Sequence, residues 1–418
     1  MRTSKTEHSG VWVSHPTGNA NVRGVIDGLM GKGILDSFHT CIGIGRDCNN
    51  PLTNKLFEQR RYELPEAMIR SMPWRESLRL LTGKLGWFPS LREHEVGPLC
   101  VDQIYQRLDT VVAKRLHMAE KKPTALYAYE DGALASFKAA HAFGISTIYD
   151  LPIGYWRTAR RIQSEEAERQ PDWAMTMQAL LDSDEKVARK DEELQSADTI
   201  FVASQFTADT LKDAPFELPP TKIIPYGCPP ALTSALPPQS KSAKLKVLYV
   251  GGLSQRKGLS YLLDAVTQSG VPIELTLVGK RIADCAPLDA ALKQHHWIES
   301  LPHDQILAVM REHDVFVFPS LFEGFGLVLT EALSQGLPII STTHTCAPDI
   351  IQDGREGFIV PIRDSDAIAE KLTLLSEDRN RLQEMKNAAL ENARKRTWKT
   401  YEQQLALEVS RIININCG

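Results

Sequence analysis

The chain has 418 residues, more than one ordinary core of roughly 150–200 residues holds, so two domains with a cleft between them are expected. Hydrophobic residues make up 43% and charged residues 24%, and the net charge is -4, a balance that fits a globular protein and excludes a basic nucleic-acid binder. The seven cysteines (Cys41, Cys48, Cys100, Cys228, Cys285, Cys346, Cys417) are scattered without a CxxC pair, which argues against a disulfide framework or zinc knuckle and for a reducing compartment.

Met1 to Ser9 is polar, and no run of about 18 apolar residues occurs, so the expected location is cytoplasmic. The first strand is read at Val11 to Ser14, followed by the loop His15-Pro16-Thr17-Gly18-Asn19-Ala20-Asn21 and a helix from about Val22 to Gly31. Further strands fit Thr40 to Ile44, Ala125 to Tyr129, Thr147 to Tyr149 and Thr199 to Ala203, with helical stretches between several of them, the alternation of a parallel α/β sheet. Tyr129-Glu130-Asp131-Gly132 ends one of these strands at the expected cleft edge, where Glu130 and Asp131 are candidate site residues or helix caps.

Residues 57–92 hold seven Arg or Lys against four acids, and Trp74, Leu78, Leu81 and Leu85 share one face if Pro73 opens a helix. Such a basic amphipathic stretch either packs on its own domain or rests on an anionic membrane.

Between Gly227 and Lys246 the composition shifts to Pro, Ser and Lys without apolar periodicity, as in a linker. A second α/β series follows, with strands at Lys246 to Val250, Glu274 to Val278, Val315 to Phe318 and Pro338 to Ser341 and helices near 259–268, 304–312 and 326–335. Trp398 to Ile413 reads as a helix placed to pack back across the cleft. The expected division is a first domain over 1–228, a linker over 229–245, a second domain over 246–396 and a crossover helix over 397–418.

Two stretches of the second series carry chemistry. In Leu321-Phe322-Glu323-Gly324-Phe325-Gly326-Leu327-Val328-Leu329-Thr330-Glu331 an apolar strand runs through glycines into a helix whose N-terminus suits a diphosphate. Its E-x7-E spacing sets Glu323 and Glu331 at two depths beside one ligand, where carboxylates accept paired hydroxyl hydrogen bonds. Val250-Gly251-Gly252-Leu253-Ser254-Gln255-Arg256-Lys257-Gly258 repeats the strand-to-helix pattern with two cations at the turn, able to neutralise a leaving diphosphate without a metal.

Asp182-Ser183-Asp184 and Asp364-Ser365-Asp366 imitate a D-x-D metal motif, yet Asp364 stands where a helix N-cap is expected and Asp182 lies away from any strand end. The eleven histidines form no metal-ligand cluster, and no metal site is expected.

Together GGLSQRKG at 251–258, LVGK at 277–280, the E-x7-E loop continuing through EALSQGLPII at 331–340, and DGREGFIVPIRD at 353–364 resemble glycosyltransferase family 4, the retaining group 1 type. The match covers most of residues 245–375; the first half resembles the family more loosely, through the Gly-containing first loop, Ala197 to Ser204, and Ile223 to Gly227. The resemblance implies a GT-B fold, two Rossmann-like domains facing a central cleft, with Lys257 on the donor phosphates, Glu323 on the transferred sugar, the amides of Phe325, Gly326, Leu327 and Val328 on sugar and diphosphate, and Glu331 on the ribose. Gly251, Gly252, Arg256 and Gly279 complete the expected donor site, with Gly18, Asn19, Asn21, Glu130 and Asp131 on the acceptor side.

Two positions depart from the family pattern. Gly252 stands where many members have arginine, for which Arg256 is the candidate substitute, and Asp150 stands where members commonly carry a histidine after the strand.

The resulting expectation is a metal-independent enzyme without cofactor that moves a hexose-type unit from a nucleoside diphosphate sugar, of UDP or GDP type, to a glycan, lipid-linked or small-molecule hydroxyl acceptor in glycan, polysaccharide or glycolipid synthesis. Glu323, Lys257, Arg256 and Asp150 are its expected catalytic residues, and its expected place is the cytoplasm or the inner face of the membrane. The alternative is a catalytically silent sugar-nucleotide-binding subunit of a polysaccharide-assembly complex. A dinucleotide oxidoreductase is disfavoured because Gly43-Ile44-Gly45 lacks a third glycine in register.

Overall fold

The computed structural model describes residues 9–48, 57–233 and 244–415; most of the expected linker, the polar first eight residues and Cys417 lie outside them. Seven strands form the first sheet: β1 (Ser9–Ser14), β2 (Leu35–Thr40), β3 (Ile69–Ser71), β4 (Pro123–Tyr129), β5 (Ser146–Leu151), β6 (Thr199–Val202) and β7 (Thr221–Ile223). Six form the second: β8 (Leu245–Val250), β9 (Ile273–Val278), β10 (His296–Ile298), β11 (Val315–Phe318), β12 (Ile339–Thr342) and β13 (Gly357–Val360). Their orders are β3-β2-β1-β4-β5-β6-β7 and β10-β9-β8-β11-β12-β13, with the paired strands parallel. Both orders reverse once, between β1 and β4 and between β8 and β11, which is the doubly wound Rossmann topology with its ligand crevice at the reversal.

Central strands such as Val315-Phe316-Val317-Phe318 are buried on both faces, as a parallel sheet covered by helices requires. One apolar core runs from Val11, Val25 and Tyr127 in the first domain through Tyr226 and Tyr401 to Leu248 and Phe316 in the second. A separate core around Leu126, Phe137 and Tyr149 fills the other face of the first sheet.

The second strand departs from expectation. Thr40 to Ile44 is not the strand; β2 precedes it, and Cys41, Ile42 and Ile44 belong to a buried loop tied to Arg61 by a bridge. The apolar run misleads because β2 carries polar side chains that are satisfied locally: Ser37 Oγ lies 2.9 Å from His39 Nε2, and Trp12 Nε1 donates to Asp36 at 2.6 Å. The strands β3, β7 and β10 have three residues each, too few for a period-two pattern to register.

The chain crosses between domains twice, side by side. Cys228 N donates to Arg396 O at 2.6 Å, and a Cβ on Gly227 would sit 2.4 Å from Trp398 N, so the two crossings touch backbone to backbone. The last helix, Trp398–Ile415, then packs on the first, Ala20–Gly31, where a Cβ on Gly28 would fall 2.5 Å from Glu402 O. The C-terminal helix therefore returns to the first domain, as its position after the second sheet implied.

Candidate donor and acceptor sites

The two sequence stretches singled out above leave adjacent strands at the reversal of the second sheet, one after β8 and the other after β11. They touch through backbone. Gly258 has φ +69°, and a Cβ there would lie 2.0 Å from Pro319 O, so only glycine lets the loops close. Leu321 N donates to Arg256 O at 2.9 Å, which fixes the basic turn against the acidic loop. Gly326, with φ +87°, opens the helix Leu327–Ser334, whose first-turn N–H groups face the crevice end of the sheet as helix N-termini that bind anions do.

This geometry gathers charge. Lys257 and Glu323 form an ion pair with both side chains mostly buried, and Arg256 Nη1 lies 3.7 Å from the same carboxylate while donating to Phe322 O at 2.8 Å. Burial and, secondarily, the adjacent Arg256 push the Lys257 ammonium toward its neutral form, while the Glu323 carboxylate is its ion-pair partner. The Lys257 ammonium also stands 4.9 Å from the centroid of the Phe318 ring. A Cβ on Gly252 would meet Ile282 Cδ1 at 3.1 Å, so an arginine there would displace Ile282. Glu331 accepts from or pairs with His303 Nε2 at 3.0 Å, an exposed partner that a ribose could displace. If Glu331 holds a donor ribose, as the resemblance implies, Glu331→Ala is expected to raise the donor KM about tenfold with little change in kcat; steady-state kinetics at varied donor reads this directly.

Gly279 lets its strand end approach the first loop, since a Cβ there would sit 1.8 Å from Gly251 O. Beside it lies a 410 Å³ pocket lined by Lys280, Arg281, Ile282, Trp297 and Glu299, of which the sequence motifs include only Lys280, in LVGK.

On the facing side, the loop after β1 and the turn after β4 flank the reversal of the first sheet. Gly18 packs on Tyr62, where a Cβ would meet the hydroxyl at 2.6 Å, and Asn19 precedes the first helix without a side-chain cap bond. Asn21 donates to Tyr226 OH at 3.5 Å, and the Tyr226 ring stands 5.0 Å from that of Phe325, so the first loop reaches the donor loop through one tyrosine.

Glu130 is buried against Lys190 at 3.0 Å, its pKa raised by burial and lowered by that ammonium. Neither Glu130 nor Asp131 caps the following helix: Glu193 accepts from Asp131 N and Ala133 N, and Asp109 from Ala135 N and Ser136 N.

Asp150 lies in β5, in register with Tyr129 and Phe201, with its carboxyl pushed up to about 7 by burial and by the Glu130 charge while a Tyr127 hydrogen bond opposes. Its Oδ2, the His15 Nε2 and the Ser14 Oγ are all buried without a hydrogen-bond partner. His15 is held neutral, its pKa lowered to about 3 chiefly by burial. Three orphan polar atoms at the ends of β1 and β5 are costly unless a ligand completes them. Sequence reading had named the loop but not His15, whose signal is only its place one residue past a strand end.

The segment after Asp150 joins the two sites. A Cβ on Gly324 would lie 1.8 Å from Pro152 O, and Gly324 O accepts from Ser204 Oγ and Thr207 Oγ1. The helix Trp156–Arg169 then carries Glu166, fully buried, into the second domain, where it accepts from Gln255 Nε2 at 2.7 Å, Tyr261 OH at 2.8 Å and Arg363 Nε at 2.7 Å. Gln255 directly precedes the basic turn residues, so a side chain of the first domain positions Arg256 and Lys257. Only the fold reveals this contact, because the partners of Glu166 are distant in sequence. Between the domains lies a 470 Å³ pocket lined by Trp156, Arg160, Gln163, Lys190, Arg256 and Phe322, among others.

The D-x-D triplets take structural roles. Asp364 caps its helix through Ala367 N at 2.8 Å, and Ser183 caps Asp184–Gln195. Among the described residues, His94, Glu95 and Asp182 bring ligand atoms within 4.8 Å of one another, but the Lys186 ammonium sits 2.9 Å from Asp182 and supplies the positive charge there.

Two Rossmann-like domains joined across facing crevices define the GT-B class. Residues 236–396 match the family model described as glycosyl transferases group 1. A curated relative, the amylovoran biosynthesis glycosyltransferase AmsK of Erwinia amylovora, is 28% identical over 183 residues, 37% of this chain and 45% of that protein. The chain spans less than half the length of this and the other first-ranked curated relatives. Sucrose-phosphate synthase from Thermosynechococcus elongatus superposes with TM-score 0.68 at 17% identity, over 98% of this chain and all of that one. Anabaena Alr3699/HepE in complex with UDP and glucose gives TM-score 0.60 at 18% identity, over 96% of this chain and all of that one. These likenesses establish the fold.

Proposed function

We propose that the protein is a retaining, metal-independent glycosyltransferase that moves a hexose-type unit from a UDP- or GDP-linked sugar to a hydroxyl of a glycan, lipid-linked or small-molecule acceptor in polysaccharide or glycolipid assembly. The observation that carries this is the charge cluster Arg256, Lys257 and Glu323 at the reversal of the second sheet, beside a glycine-opened helix N-terminus. Residues 1–228 would receive the acceptor and 246–396 the donor. The AmsK name, which speaks of polysaccharide biosynthesis, and the UDP-bound neighbour point the same way.

In this scheme negative charge grows on the departing diphosphate as the sugar gains oxocarbenium character, and Arg256, Lys257 and the N–H groups of Phe325 to Val328 stabilise it in a water-poor cleft. Glu323, released from Lys257 by the incoming phosphates, accepts sugar hydroxyls, and Glu331 accepts from the ribose. Asp150 and His15 face the acceptor side, where their free polar atoms receive the sugar or the attacking hydroxyl; Glu130, Asp131, Asn19 and Asn21 line the approach. Attack on the same face assisted by the leaving phosphate accounts for retention without a covalent nucleophile. Domain contacts through Gly324 and Glu166 exclude water and limit hydrolysis.

The second reading, a silent sugar-nucleotide-binding subunit, draws on Gly252 and Asp150 in place of the family's arginine and histidine. A thermal-shift screen of UDP, GDP, ADP and their sugar conjugates in EDTA, followed by product analysis, separates the two, because a ligand that binds only the folded chain raises Tm. A shift with one base and retained anomeric configuration in the product is the expected result. A shift without turnover on any acceptor favours the silent subunit, and no shift overturns the donor site.

A further inference from the structure

The helix Pro73–Leu85 is inside out. Its buried residues are Glu76 and Thr82, while Trp74 is 81% exposed, Leu81 52%, Leu78 48%, Leu85 45% and Leu80 39%. At about 100° per residue, Trp74, Leu78, Leu81 and Leu85 fall within an arc of about 60°, one continuous apolar stripe facing solvent. The sequence left open whether this stripe packs on its own domain; it does not. After the left-handed Gly86 that ends the helix come Trp87 and Phe88, 57% and 65% exposed. Single exposed leucines are ordinary, but a contiguous stripe with three aromatic rings marks an interaction surface.

Charge selects the occupant. Glu76 is the sole acid between residues 73 and 92, and it is buried and paired with Arg79 at 2.7 Å and with Arg60 at 3.5 Å. Exposed Arg75 and Lys84 flank the stripe on its two sides, and Arg92 follows. A protein partner would need an apolar groove rimmed with acids to match this border, whereas an anionic bilayer attracts the cations and receives the leucines below its headgroups and the indoles at their level. Among the described residues no helix is long and apolar enough to cross a membrane, so contact through this stripe would be interfacial. The following loop ties the surface to the cleft: Glu95 accepts from Ser183 N at 3.0 Å, and His94 lines the interdomain pocket together with Leu181, itself 68% exposed.

We propose that the helix Pro73–Leu85, with Trp87 and Phe88, docks the protein onto an anionic lipid bilayer, lying in its interface and bringing the mouth of the interdomain pocket to the membrane surface. The test is sedimentation of the full chain with vesicles of phosphatidylcholine alone or with about one-third phosphatidylglycerol, for the wild type, Trp74→Ser/Leu78→Ser/Leu81→Ser and Arg75→Glu/Lys84→Glu. The wild type is expected to bind the anionic vesicles about tenfold more tightly than the neutral ones, and each variant to lose about tenfold. These side chains are exposed, so the variants should keep the wild-type Tm and, where a nucleotide shifts it, the same shift. Absent wild-type binding, or binding unchanged in both variants, overturns the proposal. So does a wild-type dimer in sedimentation velocity that the serine variant dissociates, since the stripe then covers a second copy. Vesicle binding needs neither donor nor acceptor, so its failure and the failure of the sugar-transfer scheme are read separately.

Discussion

Lys257→Ala is expected to lower kcat by about a hundred- to thousandfold while raising the donor KM far less, because in the proposed scheme the ammonium acts on charge that develops as the diphosphate leaves. The same change should also cost stability, on the order of 3 kcal/mol, since it leaves the Glu323 carboxylate mostly buried with only Arg256, 3.7 Å away, to balance it. The two effects are separable. In Lys257→Ala/Glu323→Gln the orphan charge is gone, so urea unfolding should recover most of the lost stability while turnover stays low. Recovery of turnover together with stability would mean that Lys257 serves only to neutralise Glu323, and the catalytic assignment would fall. Lys257→Arg should lie between, because a planar fork on a longer stem does not reproduce a compact point charge beneath two glycine-bounded loops.

What was legible in the sequence follows a physical division. Val315 to Phe318, Lys246 to Val250 and the helix over 259–268 were readable because a buried parallel strand is a continuous apolar run and its flanking glycines mark the turn. The two candidate donor loops were readable for the same reason: Gly258 and Gly326 are imposed by left-handed backbone, a constraint that one residue type meets. The second strand was missed because Ser37 and His39 satisfy each other inside the sheet, a compensation that no local pattern reveals. Glu166 was missed for a stronger reason. Its partners Gln255, Tyr261 and Arg363 lie 89, 95 and 197 residues away, so its identity as the clamp on the basic turn exists only in the folded chain. The stripe from Trp74 to Leu85 had the right periodicity, yet periodicity says which residues share a face and not what that face meets.

Asp150→Asn is expected to make the protein more stable and less active. The Asp150 carboxyl is pushed from its ordinary 3.8 up to about 7 in the folded chain, by burial first and by the Glu130 charge. Between those two values the folded protein binds a proton that the unfolded chain has released, so this group's contribution to stability falls as pH rises from about 4 to about 7 and stays low above. Asparagine carries no charge to bury. The variant should therefore match the wild type near pH 4 and exceed it at pH 8, by up to about 1.4 kcal/mol for each unit that separates the two pKa values. Urea unfolding across that pH range reads the difference, and equal stability at pH 8 would show that the carboxyl ionises there without penalty. If Asp150 meets the reacting sugar or the acceptor hydroxyl, the same variant should lose about a hundredfold in kcat/KM, and the wild-type rate should inflect near pH 7 where the variant's does not. A buried carboxyl that costs stability in its ionised form, a neutral His15 and an unpartnered Ser14 are, under the proposed function, polar atoms for a substrate to complete. A stabilised variant with full activity would remove Asp150 from the chemistry and leave the acceptor side to His15 and the first loop.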